Sequence, residues 1–174
     1  IAVTQYDYAD LPDDGDSDAT ALGNYLTIYD EDGLEGPRHA INNNLKIGLL
    51  IDAEPDGLAQ ANALGDDANR LADEDGIIAP DTIIRGQVAI FNVLVTNKRN
   101  APAYLQGFVD WDDNGDFEDG FSGTKSTLIT IPANTVGYVQ VPFMVPTTPN
   151  PLPERVAARF RLSNENILVQ NSFG

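Results

Sequence analysis

The fold class is decided at residues 87–96, which read QVAIFNVLVT. This run is apolar and β-branched at consecutive positions, as expected of a strand that is buried on both faces. Gly86 precedes the run, and a polar turn at residues 97–100 ends it. The stretch therefore predicts a central β-strand.

Further strands are predicted on the C-terminal side of this one, at residues 104–111, 127–131, 137–145 and 155–162. In the last of them apolar side chains alternate with Arg155, Arg159 and Arg161, which predicts a half-buried strand with a basic outer face. Pro-rich connections and regular strand spacing favour an all-β fold, an antiparallel β-sandwich of jelly-roll or immunoglobulin-like type.

The acids are distributed unevenly along a chain of 174 residues, which is the size of a single domain. Residues 1–81 carry 19 acids against three bases, and residues 110–119 carry six acids and no base. The remainder carries two acids against seven bases. Acids gathered into short clusters repel one another unless a cation lies among them.

We accordingly divide the domain 1–174 into three parts. A strand at 1–8 is free or exchanged with a neighbour, 9–81 is acidic and loop-rich, and 82–174 is strand-rich. In the acidic part only 59–71 has the pattern of a short helix. A segment so irregular needs something other than a core to order it, and we expect calcium to hold it.

Composition excludes several classes of function. The formal charge is −17, so nucleic acid and anionic membranes are poor partners, since both are bound through Lys and Arg. No apolar run approaches the ~20 residues of a spanning helix, and we expect no membrane insertion. The chain has no Cys, which excludes disulfides and thiolate sites. It begins at Ile1, which we interpret as the start of a mature or excised product.

The sharpest motif is DWDDNGDFE at residues 110–118. Oxygen-bearing side chains recur at alternate positions, and Gly115 permits the sharp turn that brings them onto one centre. We predict a Ca²⁺ site with ligands Asp110, Asp112, Asn114, Asp116 and Glu118. The twelfth position is Phe121, so the pattern departs from the helix–loop–helix calcium motif. An acidic hairpin turn is the alternative, because Asn-Gly favours turns.

Two further clusters also place carboxylates before a glycine, one at 52–57 with alternate spacing and one at 73–76 preceded by Asp66 and Asp67, which makes another site or completes the same one. They supply the predicted metal ligands Asp52, Glu54, Asp56, Asp66, Asp67, Asp73 and Asp75. The acids at residues 13–18 and 30–33 are arranged more loosely, and solvated turns explain them well.

Several of these motifs together resemble the GEVED domain of prokaryotic secreted and cell-surface proteins. The resembling stretches are DYADLPD at 7–13, GPRH at 36–39, DAEPDG at 52–57, GDD and DEDG within 65–76, GFVDWDDNGDF at 107–117 and ARFRLS at 158–163. The resemblance implies a calcium-binding, non-enzymatic β-sandwich that is secreted or displayed at the cell surface. The closing GEVEDY element of the family is absent, so we expect the final strand to be missing or supplied by another chain.

Three functional classes follow from these observations. The first is a structural or adhesive module whose partners are calcium and other copies of itself or a cell-surface protein, with strand 1–8 exchanged between copies in a filament. The second is a carbohydrate-binding module with Trp111 or Tyr104 as an aromatic platform, although Trp111 fits the core equally well. An enzyme is the least favoured class, because the only histidine, His39, lies in a turn and no nucleophile motif occurs.

Overall fold

A computed structural model describes residues 4–13, 25, 27–28, 36–51, 53, 57, 59, 76–115, 117, 124–148 and 151–166. Within these ranges the chain is all-β, every strand pairing is antiparallel, and there is no α-helix. The strands are β1 (Tyr6–Tyr8), β2 (Arg38–Ala40), β3 (Leu45–Ile47), β4 (Ile77–Ile78), β5 (Val88–Asn97), β6 (Ala103–Asp110), β7 (Ile129–Ile131), β8 (Thr135–Met144) and β9 (Ala157–Ser163).

Strand β5 is the centre of a four-stranded sheet. It pairs with β8 over its whole length, from Val88 opposite Met144 to Asn97 opposite Thr135. The short strands β3 and β4 share its other edge. The apolar run that decides the fold class thus has a strand on each side.

Strand β6 is the centre of a three-stranded sheet in the order β7-β6-β9. Its pairing with β9 runs from Tyr104 opposite Ser163 to Asp110 opposite Ala157. Strands β1 and β2 form a separate two-stranded ribbon, with Asp7 opposite His39.

The inner faces of the four-stranded and three-stranded sheets share one hydrophobic core. Phe91, Val93 and Val141 come from the first sheet, and Leu105 and Val109 from the second. Alternate residues of each strand supply these side chains, because successive side chains of a strand point to opposite faces. One apolar layer therefore holds the two sheets together.

The all-β antiparallel prediction is confirmed, and all five predicted strands are present with bounds shifted by about two residues or less. The strand predicted to be free at 1–8 is paired within the chain over Tyr6–Tyr8. Residues 1–3, and the predicted short helix except for Ala59, lie outside the described residues.

Two expectations about strand faces are wrong, and both concern outer faces. Strand β5 is buried on one face only, since Val88 is 53% exposed and Ile90 is 39% exposed. The predicted basic outer face of β9 is buried, since Arg159 is only 5% exposed and Arg161 only 4%. Periodicity shows that the two faces of a strand differ, but what covers each face depends on distant residues.

Candidate metal centre

The predicted calcium loop begins at Asp110, the last residue of β6, whose side chain is fully buried. Its Oδ1 accepts hydrogen bonds from the backbone N–H groups of Asp112, at 3.1 Å, and Asp113, at 2.8 Å. Its Oδ2 accepts the N–H of Gly115 at 3.0 Å and the hydroxyl of Tyr25 at 2.6 Å. An ionised carboxylate has about four acceptor sites, so these four donors use them all. Asp110 organises the loop around its own carboxylate.

Two residues of the loop adopt positive φ angles, Asp113 at 57° and Gly115 at 96°. The left-handed region is accessible to glycine without steric cost and to Asp and Asn more readily than to most residues. The sharp turn predicted at Gly115 is therefore present, and it places the backbone amides of the loop toward Asp110.

Three of the predicted ligands are described, namely Asp110, Asp112 and Asn114. Asp112 and Asn114 are partly buried, and Oδ1 of Asp112 is itself buried. Within the described part of the chain, no three His, Asp or Glu side chains form a group that could hold a metal ion. The remaining predicted ligands lie outside the described residues: Asp116, Glu118, Asp52, Glu54, Asp56, Asp66, Asp67, Asp73 and Asp75.

Two groups at the loop, Asp113 and Tyr25, have raised pKa values. Burial, and next the negative charge of Asp110, raise the pKa of the Asp113 carboxyl, while Arg155 acts in the opposite direction. The same loop raises the pKa of the Tyr25 hydroxyl, where burial is the largest cause and the bond to Asp110 the second. Both pKa values are therefore raised first by burial and next by Asp110.

A small aromatic cluster lies beneath the loop, separate from the main core. It contains Leu11, Tyr25, Phe108 and Phe117, and the rings of Tyr25 and Phe117 have centroids 5.1 Å apart. The Phe117 ring, at the end of the loop at residues 110–117, is buried in this cluster. Trp111 faces the other way and packs into the main core against Phe143, with no exposed surface. Of the two interpretations of Trp111, core and sugar platform, the structure supports the core.

Arg159 of β9 connects this cluster to the N-terminal part of the chain. Its guanidinium donates to the backbone carbonyl of Tyr25 and to the hydroxyl of Thr27, both at 3.0 Å, and lies 5.4 Å from the centre of the Phe117 ring. Burial, and next the charge of Arg161, lower the pKa of Arg159 to about 9, while Asp13 and Asp10 oppose the shift. Asp10 and Asp13 of the N-terminal part therefore stabilise the charge of the buried Arg159.

The backbone around Thr27 is held by polar groups and glycines. Oδ2 of Asp13 accepts the N–H groups of Thr27, at 2.5 Å, and Ile28, at 2.6 Å. A Cβ on Gly36 or on Gly57 would collide with the carbonyl oxygen of Thr27. Asp13, Gly36 and Gly57, one residue from each of three resembling motifs, thus meet at the fully buried Thr27.

His39 of β2 borders a cavity of about 190 Å³ between the β1–β2 ribbon and β9. Asp7 and Asp10 also line it, and Arg161 lines the adjoining cavity of about 260 Å³. Burial, and next the charges of Arg161 and Arg159, lower the pKa of His39 to about 4, so the imidazole is neutral at pH 7. Its Nε2 is buried and has no hydrogen-bond partner among the described residues, and His39 lies in a strand and not in the expected turn.

Sequence reasoning did not identify Tyr25 and Arg159 as part of this site. Tyr25 precedes Asp110 by 85 residues and Arg159 follows Tyr25 by 134. The available signal was the pair of arginines in a strand facing an acidic N-terminal part, since a buried cation requires an acidic or hydrogen-bonding partner.

Comparison with known proteins gives one family match. The GEVED domain matches residues 104–173, a range that begins in β6 and includes the loop, β7, β8 and β9. No curated protein and no solved structure matches the chain. Among the described residues there is also no helix long and apolar enough to cross a membrane.

Proposed function

Since residues 104–173 match the GEVED domain, we propose that this chain is a non-enzymatic, calcium-binding β-sandwich module that serves a structural or adhesive role outside the cell. The proposal combines the family match with the geometry of the loop at residues 110–117. In it, calcium neutralises the acidic loops and fastens the N-terminal part of the chain to the strand-rich part.

The observation that carries the proposal is the crowding of carboxylates in the loop. Asp110 is fully buried with its acceptor sites occupied, and Asp112, Asp113 and Asn114 follow it directly in the same loop with further side-chain oxygens. Burial, and next the negative charge of Asp110, raise the pKa of Asp113, so a cation placed in the loop would offset both effects. Ca²⁺ prefers carboxylate and amide oxygens, so a calcium ion would supply the missing charge.

Asp110 then has a positioning role, and the metal ligands are the other oxygens of the loop. Asp112 and Asn114 are the described candidates, and Asp116 and Glu118 complete the proposed set. A loop shaped beforehand by three backbone amides would lose little conformational entropy on binding.

Hydrogen bonds through Tyr25 also link the loop to the N-terminal part of the chain. The Tyr25 hydroxyl bonds Asp110, and the Tyr25 carbonyl accepts from Arg159. An ion that orders the loop would stabilise these two attachments as well, because anything that binds only the folded state shifts the folding equilibrium. Calcium would thus act as a structural clamp.

A location outside the cell agrees with this chemistry. Calcium sites of extracellular modules often have dissociation constants of about 10⁻⁴–10⁻³ M, which suits the calcium concentration there. The carbohydrate-binding alternative lost its principal support when Trp111 proved to be buried. Tyr104, the other platform candidate, is half-buried within β6.

Thermal unfolding with and without calcium tests the proposal. Trp111 is the only tryptophan and is buried next to Asp110, so its fluorescence reports on both loop and core. Millimolar CaCl₂ should raise the free energy of unfolding by about 1 kcal/mol or more relative to EDTA, while MgCl₂ should have a much smaller effect.

A pair of variants makes the test specific to the loop. Asp112→Asn should reduce the calcium-dependent rise, whereas Asp81→Asn, an exposed acid outside the loop, should leave it unchanged. Equal unfolding midpoints in CaCl₂ and EDTA for the wild-type chain would refute the calcium proposal.

A further inference from the structure

The outer face of the four-stranded sheet, here called the open face, is apolar and exposed. It is formed by alternate residues of β5 and β8 together with one residue of β4. Its large exposed side chains are Ile78, Val88, Ile90, Val136, Tyr138 and Met144.

The strand register places these side chains on one face in two apolar groups, with the uncharged pair Asn92 and Gln140 between them. Val88 lies opposite Met144, Leu94 opposite Tyr138, and Ile78 opposite Asn92. The six residues are between 39% and 60% exposed. Their exposed area is on the order of 500 Å², near the upper limit of what a monomeric protein leaves in water.

The open face is uncharged in a chain of formal charge −17. The outward positions of β5 and β8 carry no Asp, Glu, Lys or Arg, and Lys46 of β3 lies at the margin opposite Thr96. The chain as a whole repels other copies of itself, and this face is where such repulsion is weakest. A strongly charged partner would gain nothing from it.

Addition of a strand at the edge of this sheet is disfavoured. Within the described strands, β8 is at the edge and pairs only with β5. Pro142 lies in β8, where it removes a backbone donor, and Gly137 has a φ of 150°, outside the extended conformation of a regular strand. An occupant would therefore cover the face and not extend the edge.

We propose that the open face binds the same face of a second copy of this chain, forming a symmetric dimer. Twisted sheets pack face to face about 10 Å apart, so an identical sheet is a matching surface. The pair would bury on the order of 1,000 Å² in total, at the lower end for a specific interface. Because neither face carries an acid, the dimer forms without charge burial, and its affinity lies in the micromolar range.

Sedimentation velocity of the full chain between about 1 and about 300 µM tests the dimer, since this range brackets weak association. The wild-type chain should pass from monomer to dimer across it. Tyr138→Glu places a charge within the open face and should weaken association at least about tenfold. Leu49→Glu, at a residue that is 66% exposed outside the open face, is the matched control and should associate like the wild type.

Two single-cysteine variants give an independent readout of association, because the natural chain has no Cys. Gln140→Cys, at an exposed position on the open face, should form a disulfide-linked dimer under mild oxidation, whereas Leu49→Cys should form no disulfide-linked dimer. Dimerisation should be equal in CaCl₂ and EDTA, so it is separable from the calcium proposal.

Three results would overturn the dimer proposal. The wild-type chain could be a monomer at every concentration, or Tyr138→Glu could leave a dimer intact. In the third, the wild-type chain stays monomeric and Tyr138→Glu lowers its unfolding midpoint. The last would mean that a segment of the same chain covers the face.

Discussion

The outer faces of the two sheets differ in an unusual way: the polar face is buried and the apolar face is exposed. The outer face of the three-stranded sheet, here called the covered face, carries Gln106, Asp110, Arg159 and Arg161, and all four are buried. The open face is apolar and exposed. Asp110 and Arg159 have buried hydrogen-bond partners, and a buried charge is tolerated when other groups pair with it or bond to it.

Different interactions hold the two layers in place. The two sheets are joined by apolar contacts in one core, whereas the N-terminal part is joined to the covered face by a few polar contacts around Arg159, Tyr25 and Asp13. Apolar burial is spread over many side chains, but each polar contact is individually important, since a buried group without its partner pays its full desolvation cost. Substitutions on the covered face should therefore release the N-terminal part before the sheets separate.

Removing the Arg159 guanidinium should have the largest effect. Arg159→Met keeps much of the side-chain volume but leaves the Tyr25 carbonyl and the Thr27 hydroxyl without their donor. We expect a loss of about 3 kcal/mol in the free energy of unfolding by urea denaturation. Hydrogen exchange should show that residues 4–13 and 36–47 lose protection while β5 and β8 retain theirs.

The matched control for this substitution is Arg155→Met. Arg155 is exposed, so its loss should change the free energy of unfolding by less than about 0.5 kcal/mol. Uniform loss of protection across both sheets in Arg159→Met would show that the covered face is part of the core and not an attachment.

The strands were predictable because their signal is local. The apolar run of β5 and the alternation of β9 lie within ten residues of sequence, and the backbone alternates over the same distance. The same patterns did not reveal which outer face would be covered. That depends on Tyr25 and Thr27, more than 130 residues before Arg159 in the chain.

The site was predictable to a similar extent. The spacing of oxygens around Gly115 identified the loop, its turn and Asp110. It did not reveal that the Asp110 carboxylate is already bonded by three amides and a tyrosine hydroxyl, because the tyrosine comes from another part of the chain. Sequence spacing predicts Asp110 as a metal ligand, and the structure adds the hydrogen bonds by which its carboxylate organises the loop.

Acidification should weaken the attachment of the N-terminal part of the chain to the covered face, because His39 becomes protonated. Its pKa is about 4 in the folded chain against 6.5 for an ordinary histidine, so between these values the unfolded chain takes up a proton that the folded chain does not. Stability is therefore lost as the pH falls from 6.5 towards 4, by about 2 kcal/mol at pH 5. The positive charges of Arg159 and Arg161 reinforce the shift, and Asp7 and Asp10 lie at the same cavities.

The comparison with His39→Gln isolates this effect, since the chain has a single histidine. Urea denaturation at pH 7 and pH 5 should show a smaller acid-induced loss in the variant than in the wild type. The same loss in both proteins would mean that carboxylates, and not the imidazole, are responsible.

The smallest effect should come from removing the hydroxyl of Tyr25, a residue that contacts both the loop at Asp110 and Arg159 of the covered face. Tyr25→Phe removes its hydrogen bond to Asp110 but leaves the three backbone amides that bond the same carboxylate. We expect a loss of about 1.5 kcal/mol, because a hydrogen bond to a charged group contributes more than a neutral one. Tyr138→Phe, at an exposed ring, is the control and should be neutral when measured at low micromolar concentration.

Combining Tyr25→Phe with Arg159→Met then shows whether the attachment acts as one unit. Arg159 holds the backbone of Tyr25 and Asp110 holds its hydroxyl, so either substitution loosens the same residue. The double variant should therefore lose less stability than the two single losses added together, by at least about 0.5 kcal/mol. Strict additivity would instead mean that the loop and β9 hold the N-terminal part independently, and calcium at the loop would then have little influence on the covered face.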